Sequence, residues 1–103
     1  MALRPIDSAM DWRFQESPDL AVIIKRRIVQ NGDWIAYVSH DIHDGGWQFH
    51  DSDRRRPRES DALVLSLREV AELDPSIVEL ADLPVGWHAW RSSNGSPWSR
   101  GKT

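Results

Sequence analysis

The stretch HDIHDGGWQFHD sets His40, His43 and His50 with Asp41, Asp44 and Asp51 around the pair Gly45-Gly46. Imidazole nitrogens and carboxylate oxygens are the ligands that zinc and related ions take, usually two or three histidines and a carboxylate converging on one point. The same groups serve as general acids and bases. Whether they act together depends on which of them share a face. In a continuous strand His40 and His43 point opposite ways. Across a hairpin turning at Gly45-Gly46, His43 and His50 become a diagonal pair roughly 7–8 Å apart, with Asp41 on the same side. His43, His50 and Asp41 are therefore the candidate metal ligands. They would serve a small metal-dependent hydrolase or a ligand-binding domain using a histidine-rich sheet face. The other reading is the solvated side of an ordinary hairpin. It is preferred, because no recognised zinc spacing is present. His40 falls among apolar positions opposite Asp51 and reads as a core-edge histidine whose buried nitrogen that carboxylate would satisfy.

Other catalytic patterns are missing. The sequence has no G-x-S-x-G, no phosphate-cradling glycine loop and no H-E-x-x-H. No cofactor is expected and no catalytic residue is assigned. His88 alternates with Trp87 and Ala89, so on a strand it points away from both.

Arginine and tryptophan suggest binding instead. Arg54, Arg55, Arg56 and Arg58 form a basic run, yet Asp51, Asp53, Glu59 and Asp61 surround it. It reads as a patch for phosphate or for an acidic partner, or, as is preferred, as a solvated loop broken by Pro57. Six tryptophans are many for a chain of 103 residues, and tryptophan dominates both cores and interface hot spots. Trp34 and Trp47 read as core by periodicity. Trp87 and Trp90 must face opposite ways on a strand, so one of them, with Trp98, is a candidate partner-binding residue alongside the four arginines. Packing against the N-terminal arm is the competing role.

These side chains need elements to hold them. LAVIIKRRIVQ, rich in β-branched residues, is followed by NGD and WIAYVSHDIH, which predicts a hairpin. A three-residue loop 31–33 brings Val22, Ile24 and Ile28 to the same face as Trp34, Ala36 and Val38, so a bulged turn is expected. The second hairpin pairs Asp44 with Trp47 and Ile42 with Phe49, completing a three-strand meander. ALVLSL reads as a buried strand or the approach to a helix. Ser66 with Glu69 forms a capping box opening a helix with Leu67, Val70 and Ala71 inward, ending near Asp74. Asp74-Pro75 opens a second helical turn with Ile77, Leu80 and Ala81 inside. VGWHAWRSS makes a late strand with a possible return after Asn94-Gly95. The expected architecture is α+β, an antiparallel sheet of about four to six strands with one or two short helices on one face. Residues 1–19 form an arm, with a possible short helix over 8–14, and residues 20–103 a single domain.

The bulk composition narrows the class. The net charge is −3 and cysteine is absent, which disfavours nucleic acid as a partner and suits a reducing cytoplasm. Leu20–Ile24 is the longest apolar run, far below the ~20 residues of a membrane helix, and no secretion signal is apparent. A soluble, cytoplasmic monomer or homodimer is expected.

The motifs Gly46-Trp47-Gln48-Phe49, Asp74-Pro75-Ser76-Ile77 and Pro84-Val85-Gly86 give the chain a resemblance over about residues 20–92. It resembles small bacterial domains catalogued with the immunity proteins of polymorphic toxin systems, the group numbered thirty-three. That family has no established catalytic residues to carry over. The arginine run stands where its members are mostly acidic. The resemblance implies a non-enzymatic protein-binding module with a toxin-like protein partner, and the short apolar runs add the expectation of no membrane association.

Overall fold

The computed structural model describes residues 12–53 and 59–103. The capping box forms as expected. Glu69 N donates to Ser66 Oγ at 3.1 Å, and Ser66 N donates to Glu69 Oε1 at 3.0 Å. They open helix α2 (Leu67–Leu73), which buries Leu67, Val70 and Ala71. Asp74 then ends α2 and caps a 3-10 helix, Pro75–Leu80, by accepting from Ser76 N at 3.0 Å. Ile77 and Leu80 carry that helix into the core.

The sheet has six strands: β1 (Ala21–Lys25), β2 (Tyr37–His40), β3 (Trp47–His50), β4 (Ala62–Ser66), β5 (Trp87–Trp90) and β6 (Ser99–Lys102). Their order is β4-β1-β3-β2-β5-β6, with β1 and β3 parallel and every other neighbouring pair antiparallel. This is the expected α+β class with a mostly antiparallel sheet.

The first hairpin is different from the expectation. After Lys25 the chain turns into helix α1 (Arg26–Asn31), which Gly32 closes at φ 72° with its N–H on Arg27 O. Asn-Gly supplies a left-handed position equally well to a hairpin and to a helix end. The inward residue Ile28 lies four positions after Ile24, a spacing that both periods allow. Without that hairpin β1 and β2 do not pair, and β3 lies between them.

The second hairpin exists with a longer loop. Phe49 pairs with Val38, and Trp47 with His40. Phe49 thus moves four residues from the expected partner Ile42, and an even shift leaves each side chain on its expected face. Loop 41–46 is closed by aspartates. Asp41 N donates to Gly46 O at 2.8 Å, and Asp41 Oδ1 accepts from His43 N at 2.7 Å. Asp44 Oδ1 accepts from Gly46 N at 2.8 Å, next to Gly45 at φ 71°. Side-chain carboxylates that capture nearby N–H groups favour such a turn over strand extension. Ile42, expected on the apolar face, sits in this loop and is exposed.

One cluster forms the core: Val22, Ile24, Val38, Trp47, Phe49 and Ala89 from the sheet meet Ile28, Leu67, Val70, Ile77 and Leu80 from the helices. The arm joins it through buried Phe14, which meets Trp47 edge-on at 5.3 Å. Residues 12–14 are not helical, and the rest of the expected short helix lies outside the described residues. Strand β4 is half-buried rather than buried, because it is an edge strand with Val64 outward.

Candidate functional site on the open sheet face

Strand alternation sends Val22, Ile24, Val38, Trp47, Phe49 and Ala89 to the helices, so the residues between them face away. The register brings these into rows. Tyr37 pairs with His50 on one side and Trp90 on the other, and His88 pairs with Ser39 and Gly101. Gly101 leaves the room for this: a Cβ there would come within 3.3 Å of His88 Nε2 and of the Trp90 ring. Exposed Ile23 and Val64 continue the same face across β1 and β4.

A pocket of about 620 Å³ opens here, lined by Tyr37, His50, His88 and Trp90 with Trp34, Asp51, Asp53 and Arg91. The Tyr37 hydroxyl lies 2.7 Å from His88 Nδ1. The Tyr37 ring lies 5.4 Å from His88 and 5.7 Å from His50, while His88 lies 5.1 Å from Trp90. Burial raises the Tyr37 phenol above its ordinary value, so the hydroxyl keeps its proton near neutral pH and shares a hydrogen bond with His88 Nδ1. Burial, then the charge of Lys25, lowers His50, with Asp51 opposing. His50 is therefore neutral near pH 7. The pocket offers aromatic faces, two imidazole rings and a phenol hydroxyl, a set suited to recognition.

Two buried ion pairs support its walls. Asp51 Oδ1 lies 3.6 Å from Lys25 Nζ and also accepts from Asp53 N at 3.0 Å. Arg91 donates to Ile35 O at 2.8 Å, Ser76 Oγ at 3.0 Å and Asp74 Oδ2 at 2.7 Å. Its guanidinium carbon lies 4.2 Å from the Trp98 ring centroid and 5.9 Å from that of Trp34. Arg91 is thus a clip between β5 and the 3-10 helix.

The expected metal set does not assemble. His43 is exposed in loop 41–46, where Asp41 is occupied with its backbone, and His50 lies on β3 against Tyr37. Among the described residues no group of three or more His, Asp or Glu side chains is placed to hold a metal ion. The reason is the six-residue loop, which removes Asp41 and His43 from the strand. His40 is buried at the core edge as expected, with a different partner. Its Nδ1 lies 2.8 Å from Leu83 O, its Nε2 lies 3.3 Å from Glu16 Oε2, and its ring stacks on Trp47 at 4.0 Å.

The three candidate tryptophans separate. Trp90 is outward and exposed, Trp87 packs on the core from the opposite face, and Trp98 is half-buried beneath Arg91. Arg54, Arg55, Arg56 and Arg58 lie outside the described residues. Alternation in the sequence placed His50 on the polar face and set His88 opposite Trp87 and Ala89, but did not unite them. Tyr37 was reachable by the same alternation; the β2–β5 pairing, between strands some fifty residues apart, was not. Comparison with protein-family models, curated proteins and solved structures finds no match for this chain.

Proposed function

We propose that this chain is a non-enzymatic protein-binding module, of the immunity-protein type its motifs resemble, and that it meets its partner with the open sheet face. One observation carries this reading: Trp90, 37% exposed, stands at an aromatic pocket on the sheet face that no described helix covers, and Ile23 and Val64, at 41% and 67% exposure, extend that face across β1 and β4. An exposed tryptophan beside a pocket, with further apolar side chains on the same face, is a composition that binding surfaces use. The residues of the pocket add hydrogen-bonding specificity and present no nucleophile paired with a base and an oxyanion site. No helix among the described residues is long and apolar enough to cross a membrane, and the lack of cysteine supports action in a reducing cytoplasm.

The test is affinity capture from the source cells followed by reconstitution with the purified partner. A single stoichiometric protein, bound by the wild type and lost with Val64→Asp or Trp90→Ala, supports the reading. A partner indifferent to both substitutions, or no partner at all, overturns it.

A further inference from the structure

Asp51 is 5% exposed and lines the pocket, and its Oδ2 is buried with no hydrogen-bond partner. Its other oxygen is engaged by Asp53 N and faces Lys25. Buried carboxylate oxygens are almost always matched by donors, because an unmatched one costs stability. Asp51 Oδ2 therefore has an unused acceptor site beside the pocket, which a small rotation of the carboxylate would open to an N–H entering there. The rings of Trp34, Tyr37 and Trp90 line the same pocket. Aromatic faces beside a carboxylate attract a cation, more strongly where water is excluded. The fold already makes this contact once, with Arg91 over Trp98 and Trp34.

We propose that the pocket receives a cationic side chain, arginine or lysine, from the protein partner, held by Asp51 Oδ2 and the rings of Trp34, Tyr37 and Trp90. This deepens the protein-binding reading and rests on it. The neighbouring charges allow it. Arg91 is neutralised by Asp74 at 2.7 Å. Lys25 stands on the other oxygen of Asp51, and Arg27 lies 3.5 Å from Asp53. His50 is held neutral by burial. An anionic ligand would find no uncommitted guanidinium: the one that lines the pocket among the described residues is already engaged by Ile35, Ser76 and Asp74.

The experiment is a two-dimensional NMR titration of the purified protein with N-acetyl-arginine amide, N-acetyl-lysine amide and the neutral isostere N-acetyl-citrulline amide. The cationic amides are expected to shift the Trp34 and Trp90 indole signals saturably, with citrulline weaker by about tenfold or more. Asp51→Asn should weaken the cationic amides by about tenfold. Trp90→Leu, an outward position that leaves the core intact, should weaken them as well. Non-saturable shifts, equal binding of citrulline, or unchanged affinity in both variants overturn the proposal. Because the titration needs no partner protein, it judges the pocket independently of the capture experiment. A captured partner that binds Asp51→Asn as tightly as wild type but loses Val64→Asp sinks the cation pocket and leaves the protein-binding reading standing.

Discussion

Arg91 reaches from the end of β5 to Asp74, seventeen residues back in the chain, and donates to Oδ2 at 2.7 Å from a side chain 1% exposed. The same aspartate caps the 3-10 helix through Ser76. One ion pair therefore joins the end of a sheet strand to the junction between α2 and the 3-10 helix.

Breaking a buried pair leaves the surviving charge unmatched, which costs about 3–5 kcal/mol. Arg91→Ala should lose stability of that order in urea denaturation. Arg91→Lys should recover only part of it, because one ammonium cannot serve Ile35 O, Ser76 Oγ and Asp74 together. A loss below about 1 kcal/mol for Arg91→Ala would assign the clip to the surface class of ion pairs.

His50 gives the low-pH behaviour its sign. Its folded value is lowered from 6.5 by burial and by Lys25, so the unfolded chain binds the proton more readily. Stability then rises with pH between the folded value and 6.5 and falls as pH drops through that window. His50→Gln should flatten this part of the stability profile, and the His50 ring signal should titrate below 6.5 in the wild type. A midpoint above that value would reverse the sign.

Tyr37 is the single tyrosine of the chain, so phenolate absorbance reads it alone. Burial raises its folded value above 10.0, and its contribution to stability is present below 10.0 and lost as pH rises through the folded value. Tyr37→Phe should remove the bond to His88 and cost about 0.5–1.5 kcal/mol. The folded protein is expected to ionise at higher pH than the urea-unfolded chain; coincident titrations would count against the half-buried phenol.

Gly32 stands at φ 72°, and a Cβ added there would meet no heavy atom within 4 Å. The cost of alanine at this position is therefore conformational, about 1–2 kcal/mol. Gly32→Asn should cost less, since asparagine tolerates the left-handed region. Urea midpoints for the two variants in that order would confirm the helix end, and equal midpoints would argue for another cause.

Local signals were legible wherever one interaction decided the outcome. Ser66 and Glu69 satisfy each other within one helical turn, and Asp74-Pro75 sets its own geometry, so α2 and the 3-10 helix followed directly from the sequence. The turn at Asn31-Gly32 was misread because both a hairpin and a helix end use the same left-handed residue, and β-branched Ile28 and Val29 favoured the wrong one. Loop 41–46 was misread as strand because Asp41 and Asp44 bond to local N–H groups more effectively than strand pairing could use those residues. In the candidate site, alternation put His50 on the polar face of β3 and set His88 opposite Trp87 and Ala89 on β5, but it left open which face of β5 is outward and carried no information on strand neighbours. Tyr37 and His88 meet only because β2 lies beside β5, and that adjacency is a property of the whole sheet.

The single parallel pairing gives the molecule a seam. β4 and β1 form one antiparallel ribbon, joined over five residue pairs, and β3, β2, β5 and β6 form another. Between the ribbons the sheet register holds just two pairs, Ile23 with Gln48 and Ile24 with Phe49. Backbone opening in native proteins follows the least-bonded boundary between cooperative units. Under tension or in native-state exchange the sheet should part along this line, with the amides of β1 and β3 that cross it exchanging ahead of those between β2 and β5. The pocket residues Tyr37, His50, His88 and Trp90 all belong to the larger ribbon, so the recognition surface can outlast the first breach of the sheet.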